Sequence, residues 1–355
     1  MAENLALLGS FTVPDTQLDD ETTLAYSGTG LAYNSANNSL FLTGHEQFQR
    51  TAEVAIPTLL STGSVDSIQR AQFIQSPTDA TNGQLPGIAP SVDDNFARIG
   101  GYLVVDGQLV ISGYHFYDAA NAQTKSHFVT DTELSQPSQP FTLSSDVPPR
   151  WLGGPMATIP TEWQTAFGGD SYLTGIGGIS IASNSSVGPA AATYGANDLT
   201  GSSSATLVVG YPLENPLDTP TSQSNVWNLT SEVRGMVFPN DTNSVLFFGT
   251  HGTGAYCYGT GDACGDAAQP YQGTHAPPYR YQVWAYDAEE LAAVHAGMRP
   301  PESPLPYSVW ELDLPYSSDA HQITGTAYDP ETGRIFVGQG RADGDLPVIH
   351  VFEVR

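Results

Sequence analysis

The sequence predicts an all-β fold, a five-bladed β-propeller closed by its own N-terminal strand. Three observations predict it. The first is a recurring pattern: Gly235 to Tyr258 reads GMVFPNDTNSVLFFGTHGTGAYCY, two short apolar runs about a polar turn, with a histidine where the second run ends. It returns at Gly30 to His45 (GLAYNSANNSLFLTGH), Gly101 to His115 (GYLVVDGQLVISGYH), Gly325 to Arg341 (GTAYDPETGRIFVGQGR) and, more weakly, Gly178 to Asn197. Short apolar runs broken by Asn, Asp, Gly or Pro mark strand hairpins, and hairpins repeated along one chain mark a repeat architecture. The second is punctuation, with 36 glycines and 26 prolines and few clusters of helix formers. The third lies at the ends: Leu5 to Pro14 (LALLGSFTVP) is a strand without a hairpin partner, while the last repeat stops at Val354 without an outer strand. Filling that gap with the first strand closes the ring and leaves only short edges.

One domain over 1–355 is the expectation. Blade one covers 28–77, with strands near Leu31–Asn34, Ser39–Thr43, Ala52–Ile56 and Ala71–Gln75. Blade two covers 98–144, with strands near Tyr102–Val105, Gln108–Ser112, His127–Thr130 and Phe141–Leu143. A long connection, Asp146 to Gly177, follows, in which Thr161–Phe167 after Pro160 predicts a short helix. Blade three is placed at 178–230. Blade four, 233–315, carries a Tyr- and Gly-rich excursion, Gly252 to Tyr279, before its third strand, and a helical turn at Glu289–Ala296. Blade five is 323–354 plus the strand 5–14. The spacing of the repeats is too irregular for WD40 or kelch units.

The phrases GLAYNSANNSLFLTGH, IPTEWQ, PYRYQVWAYDAEEL and PVIHVFEV resemble a group of bacterial five-bladed propeller proteins of uncharacterised activity. The resemblance covers most of the chain; it implies the fold and no chemistry.

Charge narrows the partners. With 37 acidic against 11 basic residues the formal charge is −26, and Lys125 is the only lysine. Nucleic acid needs a basic face to neutralise phosphates, so it is excluded as a partner, and anionic membranes are disfavoured. No apolar run is long enough to span a bilayer. Cys257 and Cys264 share one Gly-rich loop, where either a local disulfide or two free thiols fit; a disulfide points to an oxidising compartment. The expectation is a secreted or periplasmic monomer whose signal segment has been removed. Sequons at Asn37, Asn184, Asn228 and Asn240 carry little weight, because so short a pattern recurs by chance.

In a four-stranded blade the loop after the second strand and the lead-in to the first open on one face of the disc, near the axis. The second strands are read as ending in His45, His115, Asn197, His251 and Arg341. The lead-ins present Ser27 or Thr29, Arg98, Thr174, Arg234, and His321 with Gln322. Three readings of this ring follow. In the first, Arg98, Arg234 and Arg341, with His321 and Gln322, bind a carboxylate of an anionic, uronate-containing polysaccharide. His45, His115 or His251 removes the adjacent proton, and Tyr114 or Tyr256 serves as acid: the logic of a polysaccharide lyase. In the second, His45, His115, His251 and His321 hold a divalent transition metal such as Zn, Mn, Fe or Cu. In the third, the rim binds a sugar or other small-molecule ligand without turning it over. A paired-carboxylate glycosidase is a further enzyme option, with Glu46, Asp118, Glu162, Asp170 and Asp198 available. His127 and His350, in third strands, read as structural; His275 and His295 read as exposed.

Overall fold

The computed structural model describes residues 5–17, 19, 21–59, 63–92, 95–137, 139–143, 146–177, 181–200 and 205–354, the side chains of 198 and 200 excepted. Five sheets stand around an axis, antiparallel except where Gln69–Arg70 adds a parallel edge to the fifth. Blade one is Leu31–Asn34, Ser39–Thr43, Thr51–Ala55 and Phe73–Thr78; blade two is Ala97–Val105, Gln108–His115 and His127–Asp131, its fourth strand reduced to a bridge from His127 to Phe141. Blade three is Met156–Thr158, Tyr172–Gly175, Ala191–Tyr194 and Thr206–Val209. Blade four is Glu232–Val237, Ser244–Gly252, Tyr279–Asp287 and Ser308–Glu311, and blade five Ile323–Asp329, Arg334–Asp343 and Leu346–Val354. The inner strands touch in sequence order, and the fifth returns to the first.

Closure runs through the N-terminal strand, Leu5–Thr12, which pairs antiparallel with Leu346–Val354 as the outer strand of blade five. Phe11 of this strand and Val13 just beyond it are buried with Leu31 and Leu40 of blade one and Ile349 and Val351 of blade five, so the seam is hydrophobic as well as hydrogen-bonded. Inside it, Ser10 Oγ and His350 Nδ1 lie 2.8 Å apart, and the other ring nitrogen meets Gln339 Oε1 at 2.8 Å.

Local chemistry explains the hairpins. Blade two turns on Asp106–Gly107, both at positive φ (48° and 77°), the two-residue geometry that an Asp-Gly pair favours. Glycines at the head of four inner strands serve another purpose, close approach. A Cβ on Gly30 would strike the Tyr102 ring of blade two, one on Gly101 the backbone of Gly154 in blade three, one on Gly235 the Thr326 side chain of blade five, and one on Gly325 Leu31 of blade one. The repeated glycine is therefore what lets each inner strand lie against its neighbour.

Blade three departs from the sequence expectation. Its two inner strands lie inside the stretch read as a connection, and the helix Thr161–Gln164 sits in the loop between them. Part of the expected first strand, 178–180, lies outside the described residues. The helix of blade four is Ala288–His295, capped by the Asp287 side chain, and the cysteines form a disulfide.

Candidate functional site

Three inner strands carry a β-bulge at the same place, between Ile99 and Gly101, Val233 and Gly235, and Ile323 and Gly325. A bulge leaves one residue out of the ladder and re-aims its side chain. The bulged residues are Gly100, Arg234 and Thr324, and Thr29 holds the matching place before Gly30 in blade one. Only Arg234 among them is charged.

Arg234 therefore reaches across the axis from blade four. Its Nη1 donates to Thr29 Oγ1 of blade one at 3.1 Å, and both terminal nitrogens face the Gln322 amide oxygen of blade five once that amide is oriented to accept. Its Nε lies 2.9 Å from a Glu232 carboxylate oxygen. Burial disfavours the charge, yet Glu232, the Tyr114 phenol of blade two and Glu46 of blade one outweigh it, so the guanidinium's pKa rises above its ordinary value. Arg98 and Tyr114 are directly opposed across the blade-two hairpin. Burial pushes the Tyr114 phenol up, against the pull of Arg234. Tyr26, Phe96, Phe116, Tyr117 and Tyr271 are exposed aromatics; Tyr26 lies against His45, Phe96 against His115 and Tyr117, and Tyr271 has Glu232, Arg234 and Glu46 within electrostatic reach.

Of the residues singled out from sequence, Arg234, Gln322 and Tyr114 come together here, with Arg98 beside Tyr114. The histidines do not join them. His251 is fully buried, Nδ1 2.8 Å from Ser231 Oγ and Nε2 2.8 Å from the Ser224 carbonyl; the carbonyl can only accept, so Nε2 carries the hydrogen and Nδ1 accepts from the serine. Desolvation lowers its pKa to about 4. His45 packs between Tyr26 and Phe48 and takes a backbone hydrogen bond from Gln47. His115 is buried against Phe96, and its carbonyl accepts from the buried Arg150. His321 stacks on Tyr281. Among the described residues no three His, Cys, Asp or Glu side chains converge as ligands, so the expected imidazole metal site at His45, His115, His251 and His321 is not formed. The reason is the pleat: a strand-end histidine falls between blades as readily as on the axis.

Other expectations are corrected too. Arg341, at positive φ, follows Gly340, whose N–H bonds the Gln322 carbonyl, and lies within electrostatic reach of Tyr26. Tyr256 belongs to the excursion, where burial and the neighbouring Tyr258 push its phenol up. Asn197 sits in a 3-10 turn, Ala196–Thr200, and Thr174 lies within a second strand, bonded to the Leu152 carbonyl. His275, expected exposed, is fully buried between Asp266 (2.9 Å) and the Tyr271 carbonyl (3.1 Å). Asn228 is buried and bonded to the Gly252 carbonyl, which removes it as a glycosylation acceptor. Among the carboxylates, Asp118 accepts from the backbone of Ala122 and Gln123, Glu162 from Asp241, and Asp170 from Thr193, all structural. The side chain of Asp198 lies outside the described residues. Glu46, of that set, lies within electrostatic reach of Arg234 and Tyr271.

Thr29, named among the lead-ins, meets Arg234 here; Glu232 and Arg150 were missed. The signal for Glu232 was present in the residues flanking each repeat's glycine: Thr29-Gly30, Gly100-Gly101, Glu232-Val233-Arg234-Gly235, Thr324-Gly325.

No family model and no curated protein matches this sequence. Among solved structures, it is similar to a glycosyl hydrolase from Bacteroides ovatus at 11% identity and TM-score 0.48, over 98% of this chain and 94% of that one. Another is described as belonging to a family of mannoside phosphorylases containing glycoside hydrolases that target β-1,2-mannosidic linkages in Candida mannan; it aligns at 12% identity and TM-score 0.44, over 98% and 94%. A native arabinanase from Bacillus subtilis aligns at 8% identity and TM-score 0.47, over 97% and 96%. None of them bears on the chemistry, which rests on this chain's own residues.

Proposed function

We propose that the protein is a carbohydrate-active enzyme that holds a glycan across the axial face over Arg234 and cleaves a glycosidic bond with Glu46 and Glu232. The observation that carries this reading is the Arg234–Glu232 pair, with Glu46 in electrostatic reach and the half-exposed Tyr271 ring beside them. Aromatic faces cover the apolar faces of sugar rings, and a fixed guanidinium and carboxylates bond hydroxyl groups. One of the two carboxyl groups gives a proton to the departing glycosidic oxygen, a water attacks the anomeric carbon, and the other takes that water's proton.

Elimination from a uronate has narrower support. Arg98, Arg234 and Tyr114 would serve it, but the charge of Arg234 is already met by Glu232, and His251 is enclosed by its own hydrogen bonds. The Cys257–Cys264 disulfide supports a secreted or periplasmic location.

Incubation with arabinan, mannan and polygalacturonate tests the reading. New reducing ends without ultraviolet absorbance from an unsaturated uronate are expected. Absorbance would transfer the reading to elimination, and saturable binding without product would leave a sugar-binding propeller.

A further inference from the structure

The excursion between the second and third strands of blade four is a folded unit. Cys257–Gly259 and Gly273–His275 form a two-stranded ribbon, and the Cys257–Cys264 disulfide ties its first strand to the following helical turn. Beneath it lies a buried polar network: His275 Nδ1 to Asp266 at 2.9 Å, Tyr279 Oη donating to Asp266 at 2.7 Å, and His275 Nε2 to the Tyr271 carbonyl at 3.1 Å. The ribbon docks beside the axis, where Thr274 Oγ1 donates at 3.0 Å to the carbonyl of Leu229, three residues before Glu232. The Tyr271 ring lies 5.3 Å from the His275 ring at a tilt of 30°, remains 55% exposed, and has Glu232, Arg234 and Glu46 within electrostatic reach of its phenol.

So much machinery beneath a half-exposed tyrosine calls for a use. A network of fixed hydrogen bonds and a covalent tie lower the entropy cost of presenting a binding ring. We infer that Tyr271 is a substrate-positioning residue, a stacking platform for one sugar ring of the glycan over Arg234, held in place by the disulfide-tied ribbon. This rests on the glycan reading of the axial face and adds to it a residue that sets affinity rather than bond cleavage.

Calorimetric titration with oligosaccharides of arabinose, mannose and galacturonic acid tests it, on the wild type, Tyr271→Ala, Tyr271→Phe and the Cys257→Ser/Cys264→Ser double variant. With at least one oligosaccharide bound by the wild type, Tyr271→Ala is expected to bind it about three- to tenfold more weakly, the aromatic share of such contacts. Tyr271→Phe recovers most of that loss, and in turnover assays the Ala change appears in KM rather than kcat. The double-serine variant reproduces the Ala result, and thermal melting of Tyr271→Ala confirms an unchanged fold. Equal affinity of wild type and Tyr271→Ala overturns the inference while leaving the glycan reading intact. Absence of binding by the wild type to all three overturns both.

Discussion

Arg234 and Thr29, 205 residues apart in the chain, meet across the propeller axis, guanidinium nitrogen to hydroxyl oxygen, at 3.1 Å. Both stand immediately before the glycine that opens a blade. Replacing Arg234 with Met leaves Glu232 without its ion pair and Gln322 without its donor. Charge-assisted hydrogen bonds contribute roughly 1.5–3 kcal/mol each, so kcat/KM on the glycan falls at least about 100-fold. Arg234→Lys recovers little of it, because an ammonium cannot reproduce the fork that spans two blades. Steady-state kinetics on the wild type and the two variants checks this.

His251→Ala separates structure from chemistry. Loss of the imidazole leaves the Ser224 carbonyl without its donor and the Ser231 hydroxyl, which still accepts from the Asn228 N–H, without its acceptor, a cost of about 2–4 kcal/mol. Urea unfolding is expected to show that loss, while turnover per folded molecule stays within about twofold. A large fall in turnover at full folding would return the imidazole to the reaction.

Acid should destabilise the protein through three buried imidazoles. Burial lowers His127 and His350 to about 3 and His251 to about 4, against an ordinary 6.5. Between those values the unfolded chain binds protons that the native one does not, so their contribution is complete above pH 6.5 and is lost as pH falls toward 3. Each contributes a slope of about 1.4 kcal/mol per pH unit through that window. Unfolding free energy measured by denaturant between pH 7 and 5 should fall accordingly, and the triple substitution by Gln should flatten the slope.

Phe11→Ala tests the closure. The ring is fully buried between blades one and five, and emptying such a site costs about 3–5 kcal/mol. A depressed thermal midpoint is expected, exceeding that of the half-exposed Leu8→Ala by several degrees.

Much of the fold was legible because four blades state their inner hairpins plainly, as in Val104-Val105-Asp106-Gly107-Gln108-Leu109. Blade three was not legible. Its inner strand is three residues, Met156–Thr158, and a helix-bearing loop separates it from Tyr172–Gly175, so no short-range hairpin signal exists. The Ala-rich run from Pro189 to Tyr194 supplied a false one. At the site, sequence position located Arg234, Gln322 and Tyr114, since the ends of the strands fix the face. It could not tell which way a side chain leaves a bulge, as at Arg234, or a pleated strand end, as at His251, which is enclosed by Ser231 and Ser224.

A crystal structure of the Glu46→Gln variant soaked with an oligosaccharide that the wild type cleaves tests the axial site most directly. The account predicts a sugar over the axis, its hydroxyl oxygens within hydrogen-bonding distance of Arg234 and a ring against Tyr271 or Tyr117. Sugar bound instead at the opposite end of blade two, in the 440 Å³ groove lined by Asp106, Asp131 and Leu199, with the axis vacant, would contradict it.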